Sequence, residues 1–292
     1  MATVACALEA GTALGEGAIW DEAEAALYFV DIEGGMVHRF DPARGDHTTL
    51  PVGERVGCIA LRTGGGAVAA TESGIYTLDL AKGAKTLVAA PEADLPDNRF
   101  NDGAVDPEGR WWVGSMSMAK PQPATGAFWR LDADHTLTKW QDGFTTTNGL
   151  AFAPDGKTMY FADSAKDVRT VFRADYDLAT GTPSNPKPFF DTREVRGRPD
   201  GAAVDEDGCY WMAGVGGWEL VRLTPSGAVD MRIDLPVERP SRPAFGGPDL
   251  STLYVTTIAI GTTPGTEQPL AGALLAVTGL PAKGHPVPRF AG

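Results

Sequence analysis

The stretch NDGAVDPEG, Asn101 to Gly109, aligns without a gap on NGLAFAPDG, Asn148 to Gly156, and on DGAAVDEDG, Asp200 to Gly208. Each copy begins with a polar side chain, runs through small and apolar residues, and ends in an acidic-Gly turn. Each is followed by an aromatic-rich run, RWWVGSM, KTMYFADS or CYWMAGV. Short alternating runs punctuated by such turns read as β-strands. Weaker copies share the layout: EGAIWDEAE from Glu16 leads to ALYFVDI, VGCIALRTG from Val56 to GAVAATE, and SRPAFGGPD from Ser241 to STLYVTTI.

The six first positions are therefore Glu16, Val56, Asn101, Asn148, Asp200 and Ser241, at intervals of 40, 45, 47, 52 and 41 residues. Most copies carry a third run, in MVHRFDP, GIYTLDL, GAFWRLD, VFRADYD, WELVRLTP and GALLAVTG, and TKWQD and KPFFDT supply candidate fourth strands. Units of this length with three or four strands predict an all-β chain, a six-bladed β-propeller with a central metal-binding channel, forming one domain over residues 1–292. A β-sandwich needs far fewer strands, and a β-helix has a shorter, stricter period. The single Trp20-Asp21 pair does not recur as a WD40 signature does. The leftover run TVACAL is expected to join the C-terminal VPRFAG region and close the ring.

Composition narrows the partners. A net charge of −13 argues against nucleic acid and anionic membrane, which need a basic surface, and permits a cation. Hydrophobic residues at 43% supply a sizeable core, and Gly 36 with Pro 22, evenly spread, suits many tight turns. Cys6, Cys58 and Cys209 lack CxxC spacing and lie in or beside apolar runs, so they read as buried structural thiols. The N-terminus has no basic leader, and no window approaches the ~20 apolar residues of a membrane span. A cytoplasmic monomer is expected.

In a propeller the first strand of each blade lines the channel, so equivalent positions converge around the axis. Five of the six first positions are polar, and burying them together is costly unless something satisfies them. Asn-Gly and Asp-Gly are also ordinary turn dipeptides, but Glu16 stands between two glycines and is not a favoured turn residue. Glu16, Asn148 and Asp200 offer an all-oxygen set suited to Ca²⁺, Mg²⁺ or Mn²⁺, with Zn²⁺ or Fe²⁺ possible. Three protein ligands would leave positions open for water and substrate, as in a catalytic metal site. His38, His47, His135 and His285 lack metal-ligand spacing and read as surface residues. No GxSxG elbow is present, which argues against a serine hydrolase.

At these residues the chain resembles the family of senescence marker protein (regucalcin), gluconolactonases and luciferin-regenerating enzymes. The landmarks are Leu14-Gly15-Glu16-Gly17 with Trp20, Asn98-Arg99-Phe100-Asn101-Asp102-Gly103, Thr147-Asn148-Gly149-Leu150, Tyr160-Phe161-Ala162-Asp163-Ser164 and Pro199-Asp200-Gly201. Any one is trivial; their order and spacing are specific. The resemblance implies one divalent metal (Fe²⁺, Zn²⁺, Ca²⁺ or Mn²⁺) held at Glu16, Asn148 and Asp200. It implies Arg99 and Asn101 as contacts to a small-molecule sugar lactone and Asp200 as general base. The implied activity is hydrolysis of an aldonolactone to the aldonic acid, with D-xylonolactone the first choice of sugar and a gluconolactonase type close behind. One departure matters: the run Ser117-Met118-Ala119-Lys120 lacks the acidic residue that contacts sugar in vertebrate members. Phe100 and Trp211 are candidates to stack on the sugar, although blade packing is the favoured role for Trp211. Two rival readings use the same carboxylates, a calcium-binding propeller without catalysis and a related propeller esterase.

Overall fold

A computed structural model describes residues 2–263 and 265–292. Their strands form six antiparallel sheets of four strands each. The six repeat copies fall on the inner strands Gly15–Asp21, Val56–Leu61, Asn98–Val105, Thr147–Phe152, Arg198–Val204 and Pro240–Gly246. Each inner strand packs against the next, and the sixth returns to the first. The result is a six-bladed β-propeller. The helical content among the described residues is a single 3-10 turn, Thr192–Glu194. No helix is long and apolar enough to cross a membrane.

Burial falls from axis to rim. The second blade's inner strand is buried at every position, whereas the first blade's outer strand, Asp46–Pro51, is mostly exposed. The core is divided into six apolar clusters, each filling one gap between neighbouring blades; Trp112, Phe128 and Phe161, for example, join the third and fourth. This explains the aromatic-rich second strands: two curved sheets meeting at an angle need bulky side chains between them. The recurring acidic-Gly turns have a local cause. Asp106 Oδ1 accepts from the backbone N–H of Glu108 and Arg110, and Asp205 Oδ1 from those of Asp207 and Cys209, so each aspartate satisfies its own turn.

The ring closes differently from expectation. The strand Thr3–Leu8 becomes the outer strand of the sixth blade and pairs with Leu274–Thr278, setting Thr3 opposite Thr278 and Cys6 opposite Leu275. The VPRFAG segment instead runs under the second and third blades. There Phe290 exchanges backbone hydrogen bonds with Leu61 and Thr63, and Ala291 N–H donates to Gly109. The cause is Phe290, fully buried among Cys58, Trp111 and Leu131. Two smaller expectations change as well. Cys6 is exposed while Cys58 and Cys209 are buried. His38 is buried, stacked on Phe29 at 4.6 Å and hydrogen-bonded to His47 at 2.9 Å; only His135 of the four is fully on the surface.

Phe290 therefore locks the tail to two blades. Phe290→Ala is expected to cost about 3–5 kcal/mol in urea-induced unfolding; a loss below about 1 kcal/mol would show the tail to be dispensable.

Candidate functional site

The inner strands do not pair evenly. Register jumps between Glu16 and Ile19, Phe100 and Gly103, Asn148 and Ala151, Pro199 and Ala202, and Pro240 and Pro243, each an extra residue against its partner strand. A bulge re-aims side chains that strict alternation would send into the blade. All six first positions are buried, Glu16, Asn148 and Asp200 being 4%, 3% and 7% exposed.

Side-chain contacts link the third and fourth blades. Asn101 Nδ2 donates to Asn148 Oδ1 at 3.0 Å and to the Thr147 carbonyl at 2.8 Å, and Asn101 Oδ1 accepts from Arg99 Nη1 at 2.7 Å. Asn148 Nδ2 donates to Ser164 Oγ at 2.8 Å, which fixes the amide so that Oδ1 keeps one free lone pair. Asn101 is occupied at both ends, leaving only a second lone pair of its Oδ1 for a ligand. Glu16 Oε2 accepts from its neighbour Gly17 N–H at 2.6 Å, while Oε1 is buried and unpartnered. The Asp200 carboxylate accepts no hydrogen bond among the described residues. Val56 and Ser241 complete the ring without facing a ligand role, Ser241 Oγ being spent on Thr256 at 2.9 Å and on the Gly15 carbonyl.

The second positions of the copies carry a feature that a reading of the first positions alone misses. They are Gly17, Gly57, Asp102, Gly149, Gly201 and Arg242: four glycines and one pair of opposite charges. Asp102 and Arg242 form a salt bridge that joins the third blade to the sixth. Asp102 also accepts from the backbone N–H of Gly103 and Leu150 at 2.8 and 2.9 Å. The glycines make room for this crossing. A Cβ on Gly201 would lie 2.4 Å from Arg242 Cδ, and Gly149, at φ +65°, would set one 2.4 Å from the Tyr210 hydroxyl. Below the bridge lies an apolar cavity of about 520 Å³, its far end bordered by residues 285–289. Its lining, residues such as Leu150, Phe152 and Val204, holds none of the first-position groups.

Electrostatics set the two carboxylates apart from ordinary ones. Burial, then the charges of Asp200 and Asp102, hold the Glu16 carboxyl well above its usual range. Burial and Asp102 push Asp200 up to about 7, against the opposing pull of Arg198, Arg239 and Arg99. Burial lowers the Arg99 guanidinium to about 10, so it stays charged at neutral pH. Like charges gathered among buried side chains, with an orphaned Glu16 oxygen, an unbonded Asp200 and a spare Asn148 lone pair, fit a divalent cation. The set rests on the amide as much as on the acids: among the described residues no three His, Cys, Asp or Glu side chains cluster for a metal. Phe100 and Trp211 are 3% and 0% exposed and belong to the inter-blade core, which removes both from sugar stacking.

Residues 14–259 match the SMP-30/Gluconolactonase/LRE-like region family. The chain belongs to this family. A Pseudomonas putida protein, 6-deoxy-6-sulfogluconolactonase, is 38% identical over 99% of this chain and 99% of its own. Among solved structures, luciferin-regenerating enzyme superposes with a TM-score of 0.93 at 31% identity, covering 100% of both chains. A calcium-binding protein, regucalcin, from Agrobacterium tumefaciens gives a TM-score of 0.91 at 30% identity over 98% of this chain and 96% of that one.

Asp102→Ala strands a buried guanidinium and is expected to cost about 3–5 kcal/mol in denaturant unfolding. The paired change Asp102→Leu/Arg242→Met should cost clearly less than the sum of its single changes; additive losses would count against the bridge.

Proposed function

We propose that the protein is a metal-dependent lactonase that opens an aldonolactone to the aldonic acid, with Glu16, Asn148 and Asp200 as the metal ligands. The observation that carries this reading is the unpartnered, buried Glu16 Oε1 in one channel ring with Asp200 and the Asn148 amide oxygen. The names of family members support the substrate class. The calcium-binding neighbour supports a divalent ion. Which of Ca²⁺, Mn²⁺, Zn²⁺ or Fe²⁺ serves is left to add-back, because oxygen sites accept several. Buried free thiols at Cys58 and Cys209 suit a reducing, cytoplasmic setting.

A divalent cation bound there would supply a Lewis acid for the lactone carbonyl. Asp200, with no protein partner on its carboxylate, orients a water and accepts its proton as the water oxygen bonds to the carbonyl carbon. The ring C–O bond then breaks, and the proton passes to the departing ring oxygen to leave a hydroxyl. Arg99 lends its unpaired Nε–H and positive charge to the ring oxygen or to the carboxylate that forms. Asn101 holds Arg99 and Asn148 in register and keeps one acceptor for a sugar hydroxyl. A cation-storage role is less well supported, because Arg99 beside the carboxylates would weaken a site meant only for a cation.

Chelation is expected to abolish hydrolysis of pentono- and hexonolactones, including D-xylonolactone. Glu16→Gln and Asp200→Asn should each lower the metal-restored rate by at least about 10²-fold; wild-type rates in both would sink the ligand set.

A pH effect follows from Asp200. Its carboxyl binds a proton more tightly folded than unfolded, so the metal-free protein gains this contribution in acid. The contribution is lost as pH rises from the ordinary 3.8 through about 7. A cation needs the deprotonated form, so the rise in Tm on adding metal should grow across that interval. The growth should be smaller in Asp200→Asn, the remainder coming from the raised Glu16 carboxyl, and an unchanged slope in that variant would contradict the assignment.

A further inference from the structure

The repeat that aligns the first positions also aligns the residues two places earlier, and strand alternation sets those on the same side of the strand. They are Leu14, Glu54, Arg99, Thr146, Arg198 and Arg239, three arginines in six blades of a chain with net charge −13. Arg198 and Arg239 come from the adjacent fifth and sixth blades, at and just before the start of their inner strands. Both are half-buried and both act on the Asp200 charge.

Neither arginine meets a carboxylate. Arg198 Nη1 donates to the Ser164 carbonyl at 3.0 Å, and Arg239 Nη1 donates to the carbonyls of Ile260 and Gly261, each at 2.8 Å. The Nε and Nη2 groups of both have no protein acceptor among the described residues, so each keeps one edge of its fork open. The nearby charged groups have other hydrogen-bond partners, although Glu238 still feels the Arg239 charge. Glu238 accepts from Thr263 and Gln268, Glu54 from Ser73 and Lys85, and Arg169 donates to the carbonyls of Thr192 and Gly197. Arg198 feels the Asp200 carboxylate beneath it and, beside it, the like charges of Arg239 and Arg169. Unpaired guanidinium groups held side by side repel one another unless an anion comes between them, and planar forks grip oxyanions well.

We propose that Arg198 and Arg239 form a subsite for an anionic group at the end of the substrate remote from the reacting carbonyl. The preferred lactone then carries a terminal sulfonate, phosphate or carboxylate. The proposal rests on the lactonase reading above and adds the substrate class. It places the reacting carbonyl on the axis and the charged terminus over the fifth and sixth blades. The sulfonated sugar in the name of the Pseudomonas putida relative is of this class, whereas D-xylonolactone is not.

The test compares D-gluconolactone with its 6-phosphate, its 6-deoxy-6-sulfonate and the corresponding 6-carboxylate, using metal-loaded protein. Wild type should favour a charged lactone in kcat/KM, with a rate that falls as salt rises. Arg198→Gln and Arg239→Gln should each lower kcat/KM for that lactone about 10- to 100-fold, and should lower it for the neutral lactone, which feels these arginines only through Asp200, several-fold less. Arg198→Lys and Arg239→Lys should recover part of the loss. Equal losses on charged and neutral lactones, or no preference in wild type, would overturn the subsite. Titration calorimetry with 6-phosphogluconate and 6-deoxy-6-sulfogluconate against gluconate separates the two readings. Arginine-dependent binding without hydrolysis of any lactone would keep the subsite and reject the lactonase. Hydrolysis indifferent to both arginines would do the reverse.

Discussion

Charge and space compete at the axis of this propeller, and the rest of the site follows from how that competition is resolved. Six inner strands converge there with almost no exposed surface. The structure gives up side chains at four of the second positions and spends the freed volume on one crossing, Arg242 to Asp102. That bridge neutralises the two charges that the second positions carry. It leaves Glu16 and Asp200 above it with no comparable partner, although Asp102 adds to their burden. A buried carboxylate without a counter-charge is costly to maintain, and the cation proposed at the channel mouth would offset that cost.

The bulges matter as much as the residue types. In a regular strand, neighbouring residues face opposite ways. Here Asn101 and Asp102 are adjacent, yet one bonds Asn148 and the other bonds Leu150 and Arg242 across the channel. The irregular register lets a single strand serve two successive layers, the ring of first positions and the bridge beneath it. Without it, each blade could offer the axis only every second residue.

Much of this was legible in the sequence, because a propeller repeats its grammar. The ungapped copies at Asn101, Asn148 and Asp200 set the template, and the weaker copies at Glu16, Val56 and Ser241 completed the count of six blades. The same alignment already contained the second-position column, but glycines there read as turn formers, and Asp102 and Arg242 lie too far apart in sequence to suggest pairing. Features outside the repeat were harder to read. The VPRFAG tail has no counterpart in other blades, so its position depends on where Phe290 finds an apolar gap. His38 sits on a third strand, and its burial comes from stacking on Phe29 and His47, which no local pattern announces. Phe100 occupies the same segment as the site residues, yet its ring fills the gap between the second and third blades.

The strand Thr3–Leu8, paired with Leu274–Thr278, has a consequence for the order in which the molecule is made. The strand Thr3–Leu8 leaves the ribosome long before its sheet partner Leu274–Thr278, so the sixth blade stays incomplete until that partner has been made. Ser241 of that blade bonds the Gly15 carbonyl beside Glu16, and Arg242 supplies the counter-charge to Asp102. The first, third, fourth and fifth blades can therefore contribute their oxygen atoms early, but those atoms share one enclosure only when the circle shuts. Blade formation is local and fast, whereas closure spans the whole chain and is slow. Ring closure thus gathers the axial carboxylates and amides, and an unfinished ring leaves them scattered.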